Sequence, residues 1–437
     1  MEVEIERYKE SSIGIIPEDW ECKTLSELCS HVMDGTHFTP TYVEKGVPFY
    51  SVENVTSGNF SRTKYVSEDA HELMCRRVRP EKGDILMTRI GSVGMTRLID
   101  WDVNASIYVS LALLRTKSSI TPEFLQQYSC SEWFKKDILS RSLLNATPMK
   151  INLGEIRYIS CPVPPLPEQK KIARILSSVD SKLALIDQQI TTTKTLKKGL
   201  MQKLFSQGVG TQDADGQWQP HTEFQDTELG RIPKGWAISK LDDLTNRGSG
   251  HTPDKQRPDY WDGGIKWVSL ADSSRLDNGL IKTTDKEISA LGIAKSSAVL
   301  HPEGTVVLSR DAGIGKSAVM GEDMAVSQHF IAWSCAPKGK LNNWYLYYLL
   351  QLFKPEFERI AIGSTIKTIG LPYFKKFTIA HPVDMNEQDE IAQVLLTVDR
   401  KLRHLQSQKS QTQQLKKGLM QKLLTGQIRV KPDPQDV

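Results

Sequence analysis

No apolar run of about 18 residues occurs in this 437-residue chain, so a membrane-spanning helix is not expected. Residues 1–10 are strongly charged and no apolar stretch follows, so no secretory leader is expected either. An excess of one charge is also missing: 56 basic residues stand against 52 acidic ones, a net of +4. That balance neither demands a nucleic-acid partner nor excludes one, because charge can be gathered locally and cancelled elsewhere. The six cysteines (22, 29, 75, 130, 161 and 335) include no CxxC pair and read as reduced thiols of a cytoplasmic protein. Catalytic signatures are missing too: there is no HExxH, no GxSxG, and no Asn-Pro-Pro or Asp-Pro-Pro of methyltransferase type. GIGKS (313–317) lacks the glycine that a phosphate loop needs five residues before Gly315, where Arg310 stands. PDYWDGGIK (258–266) is only superficially like a metal nuclease, since three residues separate Asp262 from Lys266 and the first half of the chain has no matching site. No catalytic residue and no metal ligand is therefore expected.

What is present is repetition. LKKGLMQKL stands at 196–204 and again at 415–423, identical at every position. Pro17/Pro233, Trp20/Trp236, Leu25/Leu241 and Leu28/Leu244 match at an offset of 216. GTHFTP (35–40) is answered by GSGHTP (248–253), GVPFYSV (46–52) by GIKWVSL (264–270), and GDILMTRIGSVG (83–94) by GTVVLSRDAGIG (304–315). ATPMK (146–150) is answered by STIK (364–367), and PEQKKIARILSSVDSKL by NEQDEIAQVLLTVDRKL. The blocks keep their order with small changes of offset, which marks an internal duplication. Each half is a module of roughly 160 residues followed by a helix.

The helical segments carry a heptad pattern. From Ile172 the seam runs through Leu176, Val179, Leu183, Ile186 and Ile190, meets Thr193 and Lys197, and resumes at Leu200 and Leu204. The second copy has Ile391, Leu395, Val398, Leu402 and Leu405, then Lys409, Thr412 and Lys416 before Leu419 and Leu423. This spacing predicts two long coiled-coil helices, and antiparallel pairing gives a pseudo-twofold molecule. Pro164, Pro165 and Pro167 mark the start of the first. The modules read as mixed α/β domains with a largely antiparallel sheet: short β-type runs alternate with turns, and helical stretches follow at 122–144 and 342–360. The expected organisation is α+β, with a first module at 1–161, a helix at 162–208, a second module at 209–383, a helix at 384–430 and a tail at 431–437.

Recurrence singles out candidate contact residues. Arg89 and Arg310 each end a strand and enter a glycine-rich turn, where an arginine reaches a phosphate or a guanine edge, or instead bridges a buried carboxylate. Ser92 and Lys316 lie in the same two turns. His37 and His251 lie in glycine-threonine turns with Thr36, Thr39, Ser249 and Thr252 beside them, placed to donate to DNA or to brace the loop. Lys150 and Lys367 follow Ser/Thr-rich turns and suit a phosphate contact as well as plain solvation.

DGTHFTP at 34–40, the GDILMTRIGSVG block, the PLPEQKKIARIL helix start and the paired LKKGLMQKL ends together resemble the specificity subunit of a type I restriction-modification system. The resemblance covers nearly the whole chain. It implies that each module is a target recognition domain reading one half of a split double-stranded DNA sequence. The two helices would be the spacer between the modules, and they would dock two methyltransferase subunits. Lys197, Lys198, Met201, Lys203, Lys416, Lys417, Met420 and Lys422 of the repeated nonapeptide are the docking candidates. Motor-nuclease subunits would join them. S-adenosylmethionine, ATP and Mg would be held by those partners, and this chain would bind no cofactor and catalyse nothing. The competing expectation is a two-site protein adaptor that does not touch DNA, which a gel-shift assay would separate from the first.

Overall fold

The computed structural model describes residues 7–363 and 367–434. Residues 364–366 of the STIK repeat block lie outside the described residues. The chain forms two compact units, Met1–Asp187 with Ser407–Val437, and Gln188–Gln406. The expected boundaries at 161/162 and 383/384 set the helices apart as bodies of their own. The packing groups them differently, because the division falls inside each long helix.

In the first unit a four-stranded antiparallel sheet has the order Cys29–Asp34, Leu111–Thr116, Ile85–Thr88, Thr96–Leu98. Its layering follows from Leu111–Thr116, where four successive residues are apolar and wholly buried. Side chains alternate across a strand, so such a run serves two cores. Ala112 and Leu114 pack with Trp20, Phe124 and Leu176, whereas Leu111 and Leu113 pack with Tyr50, Val55 and Ile99. A second sheet places Val47–Tyr50 between Lys64–Val66, antiparallel, and Ser106–Ile107, parallel. The segment expected as one helix over 122–144 is two, Pro122–Ser129 and Glu132–Arg141, because the Ser131 hydroxyl accepts Phe134 N–H and caps a new start.

The second unit repeats this plan. Its larger sheet has the order Asn246–Ser249, Phe330–Ser334, Val306–Ser309, Ser317–Met320, Leu280–Ile281. Val306 and Leu308 face the core that holds Tyr345 and Leu395, and Val307 faces the one that holds Val268 and Met320. Trp261–Val268 lies between Lys286–Ile288, antiparallel, and Met324–Val326, parallel.

The long helices span Leu166–Gln207 and Met385–Leu423. Two buried residues at each start explain the shared Glu-Gln pair. Glu168 accepts the Trp20 indole N–H at 3.1 Å, and Glu387 accepts that of Trp236 at 3.1 Å. Gln169 accepts Thr121 N–H and donates to the Ser119 and Pro164 carbonyls. Gln388 likewise accepts Asn342 N–H and donates to the Lys340 and Pro382 carbonyls. Each module is thereby tied to the helix that follows it, with no buried polar atom of these glutamines left to spare.

Within the first unit the helical segments run antiparallel. Asp180 pairs with Lys416 and Asp187 with Lys409, both at 2.6 Å, stepping seven residues forward on one helix and seven back on the other. In the second unit Lys197 pairs with Asp399 at 2.6 Å, the counterpart of Lys416 with Asp180. The polar seam threonines are settled inside their own helices: Thr193 and Thr412 donate to the Gln189 and Gln408 carbonyls.

Candidate nucleic-acid interface

In both units a glycine lets one loop press against another. A Cβ on Gly35 would lie 2.0 Å from the Ile107 carbonyl oxygen, and a Cβ on Gly250 would lie 1.9 Å from that of Val326. The next residue locks the contact: Thr36 N–H donates to Ile107 O and His251 N–H donates to Val326 O, each at 3.0 Å. This corrects the pairing of GTHFTP with GSGHTP by their first glycines. The structural partner of Gly35 is Gly250, so His251 takes the place of Thr36, and Thr252 that of His37.

The two arginines brace these loops. Arg89 donates to the carbonyls of Val109 (3.1 Å) and Ile151 (3.4 Å). Arg310 donates to the corresponding carbonyls of Gln328 (3.1 Å) and Ile369 (3.3 Å). Backbone bonds reinforce the clamp, Ile151 N–H to Arg89 O and Ile369 N–H to Arg310 O, both at 2.9 Å. Among the described residues, the carboxylate bridge expected as one alternative is found in the first unit alone. There Arg89 reaches Asp34 at 2.5 Å, Arg77 also binds Asp34, and His37 Nε2 donates to it at 3.1 Å. Asp34 is 2% exposed. Burial opposes its ionisation, but the bonds from Arg77 and His37 and the charges of Arg77 and Arg89 outweigh that and hold its pKa below the ordinary value. Ser249 stands at the matching place in the second unit. Both guanidinium groups are thus committed to the protein, and the groups presented outward lie around them.

Those surrounding candidates differ in exposure and in engagement. His37, Thr39, Ser92, Lys150, Ser249, His251 and Lys367 are exposed, whereas Thr36 is buried. Thr39 Oγ1 lies 3.3 Å from Tyr108 Oη, and Thr252 Oγ1 donates to Gln328 Oε1 at 2.5 Å. Lys316 is tied to the Ser273 carbonyl at 3.0 Å, so its ammonium braces a turn.

The docking candidates divide in the same way. Lys198, Lys203, Lys417 and Lys422 are exposed. Lys197 and Lys416, expected on a partner surface, are instead spent on Asp399 and Asp180. Met201 belongs to the core of the second unit, and half-buried Met420 packs against that of the first. The reason is the heptad itself: Lys197 and Lys416 occupy seam positions, where a cation persists only against a carboxylate. Lys416, Lys417 and Met420 also line a cleft of about 550 Å³ with Trp133 and Leu183 in the first unit.

Sequence reasoning missed a pair of aromatic–lysine platforms. Lys64 stands opposite Phe49 and lies 4.4 Å over the Tyr42 ring. Lys286 stands opposite Trp267 and lies 5.6 Å over the Trp261 ring. The Phe49/Trp267 match lay within a repeat block, but the other two pairs fall outside every block.

Residues 17–194 and 233–414 each match the type I restriction modification DNA specificity domain family. A putative type I restriction enzyme MjaX specificity subunit of Methanocaldococcus jannaschii is 27% identical over 437 residues, covering 98% of this chain and 97% of that one. The type I restriction enzyme MjaVIII specificity subunit of the same organism is 27% identical over 441 residues, with 98% and 97% covered. Among solved structures, the type I restriction-modification S subunit from M. genitalium aligns over 92% of this chain and 96% of its own, with a TM-score of 0.58 at 14% identity. That likeness concerns the fold, and it agrees with the double match of the domain family. No helix among the described residues is long and apolar enough to cross a membrane. The chain belongs to the family of type I restriction-modification specificity subunits.

Proposed function

We propose that this chain is the DNA-reading, non-catalytic member of a type I restriction-modification enzyme and acts in the cytoplasm. Each module reads one half of a split double-stranded target. The exposed lysines of the repeated nonapeptide, Lys198 and Lys203 in one copy and Lys417 and Lys422 in the other, contribute to docking two methyltransferase subunits. Motor-nuclease subunits complete the assembly. Adenine methylation with S-adenosylmethionine and ATP-driven cleavage with Mg take place on those partners.

One observation supports this reading above the rest. The specificity domain occurs twice, and each copy keeps the same arginine clamp beneath a loop whose outward residues differ. A shared brace under divergent surfaces is what two readers of two different half-sites require, because base preference resides in a few side chains at groove edges. The test is to exchange residues 11–160 for the first module of a relative and to sequence methylated bases in a host that carries the partner subunits. One half of the methylated motif should change and the other persist. A change in both halves, or in neither, would overturn the assignment. Partner-free chain should turn over no S-adenosylmethionine.

A further inference from the structure

The second unit carries a cleft of about 350 Å³ beside the Gly250 loop, lined among others by Trp261, Trp267, Lys255, Lys286 and Ser327. The two indoles meet edge to face at 5.1 Å. Their N–H groups are already spent, Trp261 on the Asp254 carbonyl and Trp267 on that of His251. Ring surface is therefore what the tryptophans offer. Ser327 is 1% exposed, and its hydroxyl has no hydrogen-bond partner among the described residues. A buried hydroxyl left unpaired is costly and calls for an occupant.

The first unit shows the same platform closed. Tyr42 lies 5.9 Å from Phe49 with Lys64 above it, as Trp261 lies near Trp267 with Lys286 above it. The place of Ser327 is taken there by Tyr108. Both residues directly follow the strand paired in parallel with the platform strand, through Tyr50 with Ile107 and Val268 with Val326. The Tyr108 ring packs 5.8 Å from Phe49, and its hydroxyl meets Thr39. A phenol thus fills in one unit the space that a serine leaves open in the other.

The polar groups around the open cleft are mostly donors. Lys255 and Lys286 are exposed ammonium groups, and Asp285 is the one carboxylate lining it. The Gln328 side-chain oxygen, Oε1, is taken by Thr252, which leaves the side-chain amide N–H groups to donate. Donors around an aromatic wall suit a ligand unit that only accepts hydrogen bonds and has an apolar flank. We propose that this cleft seats one sugar-phosphate unit of a DNA strand: Lys255 and Lys286 neutralise the phosphate, the Ser327 hydroxyl donates to a phosphate oxygen, and the deoxyribose packs on the Trp261 ring. The assignment rests on the reading of the chain as a DNA binder. It makes the contact a positioning one, blind to base identity and confined to the second module.

The test uses the full chain and a fluorescent random-sequence duplex, titrated over a range of salt. Lys286→Ala should weaken binding about fivefold and lower the slope of log K against log salt by about one. Ser327→Tyr, which copies the closed cleft of the first unit, should weaken binding by a similar factor. Ser327→Ala keeps the shape, removes the hydroxyl and should lose about threefold. Lys286 is exposed, so its variant stays informative even where Ser327→Tyr folds poorly. Wild-type binding with an unchanged affinity and salt slope for Lys286→Ala and Ser327→Ala overturns the proposal. So does a loss confined to particular base sequences, which would make the cleft a base reader. A wild-type chain that binds no duplex defeats the DNA reading itself, an outcome separate from those two.

Discussion

The two modules share a brace and differ in the charges set around it. Arg89 and Arg310 hold equivalent carbonyls, and Gly35 and Gly250 make equivalent close approaches. Yet Arg89 is bonded to a buried carboxylate, whereas among the described residues Arg310 bonds backbone carbonyls and the buried Asp311 beside it is taken by His329 and Thr368. The Trp–Glu anchors diverge in the same manner. Glu168 is neutralised by Arg429, whereas Glu387 accepts His221 and the backbone N–H groups of Val209 and Gly210. Duplication therefore preserved the backbone geometry that lets a loop be displayed and left the charge around it free to change. A brace built from backbone carbonyls tolerates this, because carbonyls persist whatever side chains surround them.

The largest effect should come from breaking that charge difference. Asp34→Ala strands Arg77 and Arg89, and removing one partner of a buried pair should cost about 3 kcal/mol. Ser249→Ala should stay within about 0.5 kcal/mol. Hydrogen–deuterium exchange read separately for the two units would measure both, and equal protection in the two variants would show that Asp34 carries no special share.

Next in size is the brace itself. Arg310→Ala forfeits bonds to neutral carbonyls, about 1 kcal/mol net. Arg89→Ala also leaves Asp34 short of a cation, and about 2 kcal/mol is expected. If the order is reversed in urea unfolding followed by module-specific probes, the carboxylate is not what distinguishes the two clamps.

Acid should separate the units further. Asp34 has a pKa lowered by folding, so its contribution is complete above the ordinary aspartate value and is lost as pH falls through the lower folded value. Protection of the first unit should fall below about pH 4, and Asp34→Asn should flatten that dependence. Loss of protection with the same profile in Asp34→Asn would assign it to other carboxylates.

The smallest effect is a labelling difference. Cys22, Cys75 and Cys130 are half-buried and lie in the first unit, whereas Cys335 is the cysteine of the second and is buried. Burial pushes the Cys335 thiol up to about 12, which leaves little thiolate to react. Alkylation mapped by mass spectrometry should reach the half-buried thiols first and Cys335 only as the second unit opens. Prompt labelling of Cys335 in the native protein would contradict its place in that core.

The heptads, the duplicated blocks and the family resemblance are all legible in the sequence, since each is a pattern along the chain. So are the arginines and the glutamates as repeated residues. Their partners are not. Asp180 and Asp187 stand seven apart, as do Lys409 and Lys416, and that spacing could have predicted the antiparallel ion pairs, one of which removes Lys416 from the docking surface. The Gly35/Gly250 equivalence was hidden because GSGHTP contains two glycines and only the fold shows which one meets a carbonyl.

The sequence by itself determined the two-module plan, the long helices and the kind of protein this is, because periodicity and repetition are written in residue order. Only the tertiary structure decided that both arginines turn inward and that Asp34 answers just one of them. Only it opposed Ser327 to Tyr108, which opens a cleft in one module and closes it in the other. Such outcomes depend on which side chains a sheet register brings together across tens of residues, and loop length shifts that register without leaving a trace in any local pattern.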